Sequence, residues 1–133
     1  MANIFFTETN AIAVSVQPQY LDAESSPIDA QYMWAYHVKI KNNSKDVIQL
    51  LNRFWRITDG YGVVQEVRGA GVIGLQPVIM PGEEFEYSSS VMLPTPTGIM
   101  HGTYQMRKLD DKYIDVTIPV FSLDSDDAIR LAN

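Results

Sequence analysis

Apolar residues recur at every second position along much of this chain, the spacing of a β-strand with one face in a core and one in solvent. Ile12, Val14 and Val16 alternate with Ala13, Ser15 and Gln17. Tyr32, Trp34, Tyr36, Val38 and Ile40 alternate with Met33, Ala35, His37, Lys39 and Lys41, the longest clean run, and its aromatic side predicts Trp34 as a core residue. From Val47 to Thr58 the apolar set starts on Ile48 and Leu50 and resumes on Trp55 and Ile57. Strict alternation cannot change phase without an extra residue, so a β-bulge is expected near Asn52 and Arg53, with Trp55 inward. Val63 to Val67 reads as a short strand after the turn Asp59-Gly60-Tyr61-Gly62. Phe85, Tyr87, Ser89, Val91 and Leu93 face one side of another strand, which Pro94, Pro96 and Gly98 end.

The last two strands span about Gly102 to Leu109 and Tyr113 to Phe121. Placing Met106 opposite Val116 gives an antiparallel hairpin with Asp110-Asp111-Lys112 as its loop, and sets Asp115 against Arg107. Pro18 and Pro119 cannot donate ladder hydrogen bonds, which predicts the first and last strands at sheet edges or bulges. No segment carries a sustained helical period. About seven antiparallel strands with turns every 8–12 residues predict an all-β, immunoglobulin-like or fibronectin type III-like sandwich, and Gly102-Thr103-Tyr104 resembles its tyrosine corner. The 133 residues suit one domain, with a core over about 10–123 and a tail from Asp124 to Asn133 that forms a helical turn or stays mobile.

Composition narrows the chemistry. A formal charge of −6, with 10 Lys and Arg scattered singly, argues against nucleic acid as a partner. The absence of cysteine excludes disulfides, thiolate catalysis and Cys-based metal sites. Neither a signal peptide nor a run of about 20 apolar residues is present, so a cytoplasmic protein without direct membrane insertion is expected.

Gly69-Ala70-Gly71-Val72-Ile73-Gly74 formally matches a dinucleotide fingerprint. Pro77 and Pro81 follow too closely for the helix whose N-terminus would hold a pyrophosphate. What survives is an anion-binding nest of Arg68, Gly69, Gly71 and Gly74, against a tight loop that needs glycine dihedrals, the favoured reading. The two histidines, His37 and His101, both point outward on the strand phases and suit neither a catalytic triad nor a general base. Asp110 and Asp111, near Asp115, are candidate ligands for a hard cation, but ordinary turn chemistry and an Asp115–Arg107 pair explain them without metal. Asp124, Asp126 and Asp127 read as a solvated acidic tail. No cofactor is implied.

Four segments taken together resemble the bacterial ApaG family: Tyr36-His37-Val38-Lys39-Ile40-Lys41-Asn42, the stretch Gln49 to Asp59, the stretch Val67 to Pro77 followed by Met80-Pro81-Gly82-Glu83, and Pro119-Val120-Phe121-Ser122-Leu123. The resemblance implies a fibronectin-type sandwich. It also implies a link to cobalt resistance and magnesium efflux, a gene that often neighbours a diadenosine tetraphosphate hydrolase, and similar protein-binding domains in a eukaryotic F-box protein and a polymerase-interacting protein. It carries over no catalytic residue. Two functions are therefore expected to compete: a non-enzymatic module that binds a protein partner through open sheet edges, which also permit a homo-oligomer, and a sensor of a nucleotide pyrophosphate or divalent metal.

Overall fold

The computed structural model describes residues 3–126. Strands β1 (Phe5–Thr9), β2 (Ile12–Tyr20), β3 (Tyr32–Asn42) and β7 (Glu84–Leu93) form one antiparallel sheet in the order β1-β2-β3-β7. A second sheet runs β5-β4-β8-β9, from β4 (Ile48–Asp59), β5 (Val64–Ala70), β8 (Thr97–Lys108) and β9 (Tyr113–Asp124), with the two-residue β6 (Val78–Ile79) beside β4 on the same edge as β5. The two sheets close on one core, as the alternation requires. Trp34, Tyr36, Val38 and Ile40 from β3 meet Trp55, Ile57, Met100, Tyr104, Met106, Ile118 and Phe121, all buried.

Among the described residues nine strands stand where the periodicity predicts about seven. β6 is too short to show a period. β1 hides its own because Phe5 and Phe6 are adjacent: Phe5 packs against the core and tilts on Phe121, while Phe6 is 65% exposed. β1 pairs with β2 from Thr9↔Ile12 to Phe5↔Val16, so the strand expected at an edge is an inner one. Pro18 lies just beyond that pairing, where its missing N–H costs no ladder bond. Pro119 sits in a bulge, for Met100 pairs with Phe121 and Gly102 with Ile118, leaving Pro119 and Val120 against His101.

The phase change in β4 is real, and its extra residue is Leu51, one position before the expected place: Leu50 pairs with Met106 and Asn52 with Gln105. The final hairpin is shifted by two. Met106 pairs with Ile114 and Tyr104 with Val116, so Asp115 stands opposite Gln105 and not Arg107. The reason is the position of the turn, centred on Asp110 and so one residue earlier than expected: the Lys108 N–H donates to the Lys112 carbonyl and closes a loop of Leu109 to Asp111. Asp111 adopts a left-handed φ of 59° and its N–H donates to the Lys108 carbonyl, while Asp110 accepts from the Lys112 N–H. Arg107 donates instead to Gln49, at 2.9 Å. The expected tail beyond Asp126 lies outside the described residues.

Candidate functional site at the open flank of the sandwich

One flank of the sandwich is sewn shut. β9 packs on β1 and β2, and the Thr117 N–H donates to Thr9 Oγ1 at 3.2 Å. The other flank lies between the sheet ends β7 and β5, and there the chain follows the bulge at Leu51. β5 leaves β4 after Ala70, and β6 rejoins it at Gln49. The looped-out residues form a miniature hairpin in which Val72 and Leu75 exchange both backbone hydrogen bonds, at 2.8 and 2.9 Å, across Ile73 (φ 44°) and Gly74 (φ 77°). Two successive positive φ values make a primed turn, the kind that suits a tight hairpin. The hairpin turns Val72 into the core, 1% exposed, and leaves Ile73 outside.

The glycines of the motif have steric reasons. Gly71 has φ 63°, and a Cβ there would stand 2.1 Å from the Leu75 carbonyl oxygen. At Gly69 a Cβ would lie 2.8 Å from the guanidinium of Arg53, its partner across the β4–β5 ladder. The N–H groups of Gly71, Val72 and Leu75 already donate to the carbonyls of Leu51, Leu75 and Val72. Arg68 is on the other face of β5, with its guanidinium 4.2 Å above the Phe54 ring. The residues of the expected nest are thus neighbours in the chain but are split between two faces of the sheet.

The guanidinium that does reach the hairpin is that of Arg53. Past the bulge, odd positions of β4 face inward, so Arg53 shares its phase with Trp55 and Ile57. It lies flat over Gly69, and Nη1 donates to the Ala70 and Gly71 carbonyls at 3.1 and 2.9 Å. It opens with Tyr36, Tyr87, Ser89 and Ile73 onto a cavity of about 220 Å³. Among the described residues no carboxylate lies within 4.0 Å of this charge. Sequence reasoning missed Arg53 because the bulge was placed one residue late, which left its face undefined; the odd phase of Trp55 and Ile57 was the signal that could have assigned it.

Two tyrosines, Tyr36 and Tyr87, line this site, and a third, Tyr104, is fully buried against Tyr87. The hydroxyls of Tyr87 and Tyr104 share a short hydrogen bond between the two sheets, so Tyr104 lacks the backbone partner a tyrosine corner would give it. Burial raises the pKa of Tyr36, Tyr87 and Tyr104, and the Arg53 charge offsets only part of the rise. A raised folded-state pKa favours the neutral phenol. The associated stability is fully present below the unfolded value of about 10 and is lost as pH climbs above it. In an absorbance titration of the seven tyrosines, Tyr87 and Tyr104 should therefore ionise only together with unfolding. Tyr87→Phe should cost about 1–3 kcal/mol by stranding the Tyr104 hydroxyl, and the double change to Phe should recover much of that loss. Denaturant melts of the three variants check this; a double variant weaker than the sum of the singles would refute it.

The remaining candidates lie elsewhere. His37 stands on the outer face of the first sheet, 2.8 Å from Ser88 Oγ and 3.5 Å from Glu86, whose carboxyl it holds below the usual range. His101 is beside Arg56 on the outer face of the second sheet. Asp110 pairs with Lys112 across its own turn, at 3.8 Å. Among the described residues no group of three or more His, Asp or Glu side chains could hold a metal ion, and no helix is long and apolar enough to cross a membrane.

Comparison with known proteins gives a consistent result. The ApaG domain model matches residues 22–108, which include Arg53, Arg68 and the glycine hairpin. Protein ApaG of Paramagnetospirillum magneticum is 54% identical over 117 residues, 88% of this chain and 90% of that protein. Protein ApaG of Methylobacterium sp. strain 4-46 is 51% identical over 121 residues, covering 91% and 93%. A crystal structure of a Bordetella pertussis protein described as ApaA, 43% identical, superposes with a TM-score of 0.85 over 90% of this chain and 98% of its own. A fold read from strand periodicity, four matching segments and relatives of this closeness lead to one assignment: the chain belongs to the ApaG domain family.

Proposed function

We propose that this chain acts by binding a partner protein, and that it turns over no substrate of its own. The observation that carries this reading is the outer edge of β7. Ten residues long, β7 hydrogen-bonds only to β3 among the described strands. The Asn42 N–H donates to the Glu83 carbonyl, which fixes the ladder's alternation: odd positions of β7 bond to β3, and even positions aim their N–H and C=O groups outward. Glu84 and Glu86 guard one end of this edge, while Ser88-Ser89-Ser90 and Met92 leave the rest without a charged side chain. An extended segment of a partner adds to such an edge by main-chain hydrogen bonds. A tie to cobalt and magnesium handling would then run through that partner, in the cytoplasm.

Ser90→Pro tests this reading. Ser90 is exposed and its N–H points away from β3, so proline removes an outward donor without costing a ladder bond. Proteins retained from the source cell by the immobilised wild-type chain should be lost on the Ser90→Pro chain, with the melting temperature nearly unchanged. Retention that ignores the substitution, or sustained turnover of diadenosine tetraphosphate by the purified chain, would defeat the proposal.

A further inference from the structure

We infer that the Arg53 cavity is a carboxylate-binding site, and that its occupant is an aspartate or glutamate side chain of the partner segment laid along β7. The inference rests on the edge-binding reading above and names the chemistry the partner must carry.

The chemistry follows from how Arg53 is held. Nη1 is committed to the Ala70 and Gly71 carbonyls, and the group lies flat against the side-chain-free face of Gly69. A guanidinium fixed in this way keeps the planar donor fork that a carboxylate matches. Its charge has no acidic partner within 4.0 Å among the described residues, although acidic residues outnumber basic ones 16 to 10 in the chain. The cavity's other polar side chains include the hydroxyls of Ser89, directly opposite Tyr36 in the β3–β7 ladder, and of Tyr36 itself, while the Tyr87 hydroxyl is taken up by Tyr104. One cation with hydroxyl donors on a chain of formal charge −6 suits a single negative charge. A polyphosphate would need several cations.

The position follows from the sheet. Side chains alternate along any strand added to β7, and every second one enters the flank between the sheets. Tyr87 and Ser89 are the β7 residues that point there. An acidic residue of the added strand at their level would meet Arg53, with Ile73 of the hairpin on its other side. The site therefore selects among extended segments by one acidic position, while the β7 edge supplies the sequence-independent bonds.

Acetate is the probe, standing in for the partner's side-chain carboxylate. The wild-type chain, with its backbone amides and arginine side chains labelled for NMR, is titrated with acetate at constant ionic strength, and with chloride and inorganic phosphate in parallel. A saturable shift of the Arg53 Nε–H resonance with acetate alone is expected. The accompanying acetate-dependent shifts of the Ile73, Gly74 and Ser89 backbone amides should be lost in Arg53→Lys, which keeps the charge but not the fork, and the Arg53 shift should be weakened in Ser89→Ala, a variant that leaves the Arg53 anchors untouched and so guards against a folding defect. No saturable acetate shift, an acetate shift that persists at other arginines in Arg53→Lys, or a stronger response to phosphate would each overturn the assignment. Partner retention separates this failure from that of the broader reading: loss with Ser90→Pro but not with Arg53→Lys leaves edge binding standing and removes the carboxylate site.

Discussion

Replacing Trp34 or Trp55 by alanine should each lower the free energy of unfolding by about 3–5 kcal/mol, a large share of what a domain of this size possesses. Both rings are almost fully buried, at 1% and 3% exposure. Trp55 belongs to an aromatic cluster, edge-on to Tyr36 at 5.4 Å and to Phe121 at 5.9 Å, so its removal takes packing from both sheets. Trp34 does two things. It packs edge-on against Tyr20 at 5.4 Å, and its indole N–H donates to the Asp124 carbonyl at 3.0 Å, tying the end of β9 to the opposite sheet. Trp34→Phe should therefore fall between wild type and Trp34→Ala, because the ring volume is largely kept and the bond is lost. Urea unfolding followed by far-UV circular dichroism measures all three, and a midpoint for either alanine variant within error of wild type would contradict the burial described above.

Gly102→Ala should cost about 3 kcal/mol, the upper end of what overpacking a tight site usually costs. Gly102 faces Trp55 across the β4–β8 ladder, one residue from the β9 bulge. A Cβ on it would sit 2.0 Å from the Phe54 carbonyl oxygen and 3.2 Å from the Trp55 Cα. These are backbone atoms of the adjoining strand and no rotamer change moves them, so the central pair of the second sheet must separate. Gly69→Ala supplies the contrast: its Cβ would press on the Arg53 guanidinium, the far end of a flexible side chain, and the loss should be smaller. Equal losses at the two positions would show that contact with backbone is not what matters.

Much of this architecture is legible in the residues themselves, and the reason is physical. Period two depends only on which face of a strand is buried, so β2, β3, β4, β7 and β9 announce themselves wherever one face is apolar. Register is another matter. The final hairpin depends on where its turn is centred, and the left-handed Asp111 that closes a loop of Leu109 to Asp111 has no signature in the alternation. β5 is nearly all exposed, so it is read from its turn and only in part, as Val63 to Val67, and β6, two residues long, shows no contrast between a buried and a solvated face. The candidate site was the least legible part. A glycine-rich run and an arginine beside it suggest a ligand, whereas Arg53 joins the inward phase of Trp55 and Ile57 only if the bulge is set before it, at Leu51, and not near Asn52 and Arg53.

The seam between β1 and β9 also bears on how the chain reaches this state. Thr9 and Thr117, joined there by a hydrogen bond, are 108 positions apart, and bringing them together closes a loop that includes every other strand. The entropic cost of such closure must be met before the contacts it creates can compensate. Neighbouring hairpins such as β1–β2 and β8–β9 can pair early, but their meeting depends on the assembly of everything between. Folding dominated by pairings of this range belongs to the slow class of small domains, on the order of milliseconds to seconds, and the flank that is most securely shut in the finished protein is the one that must wait longest to form.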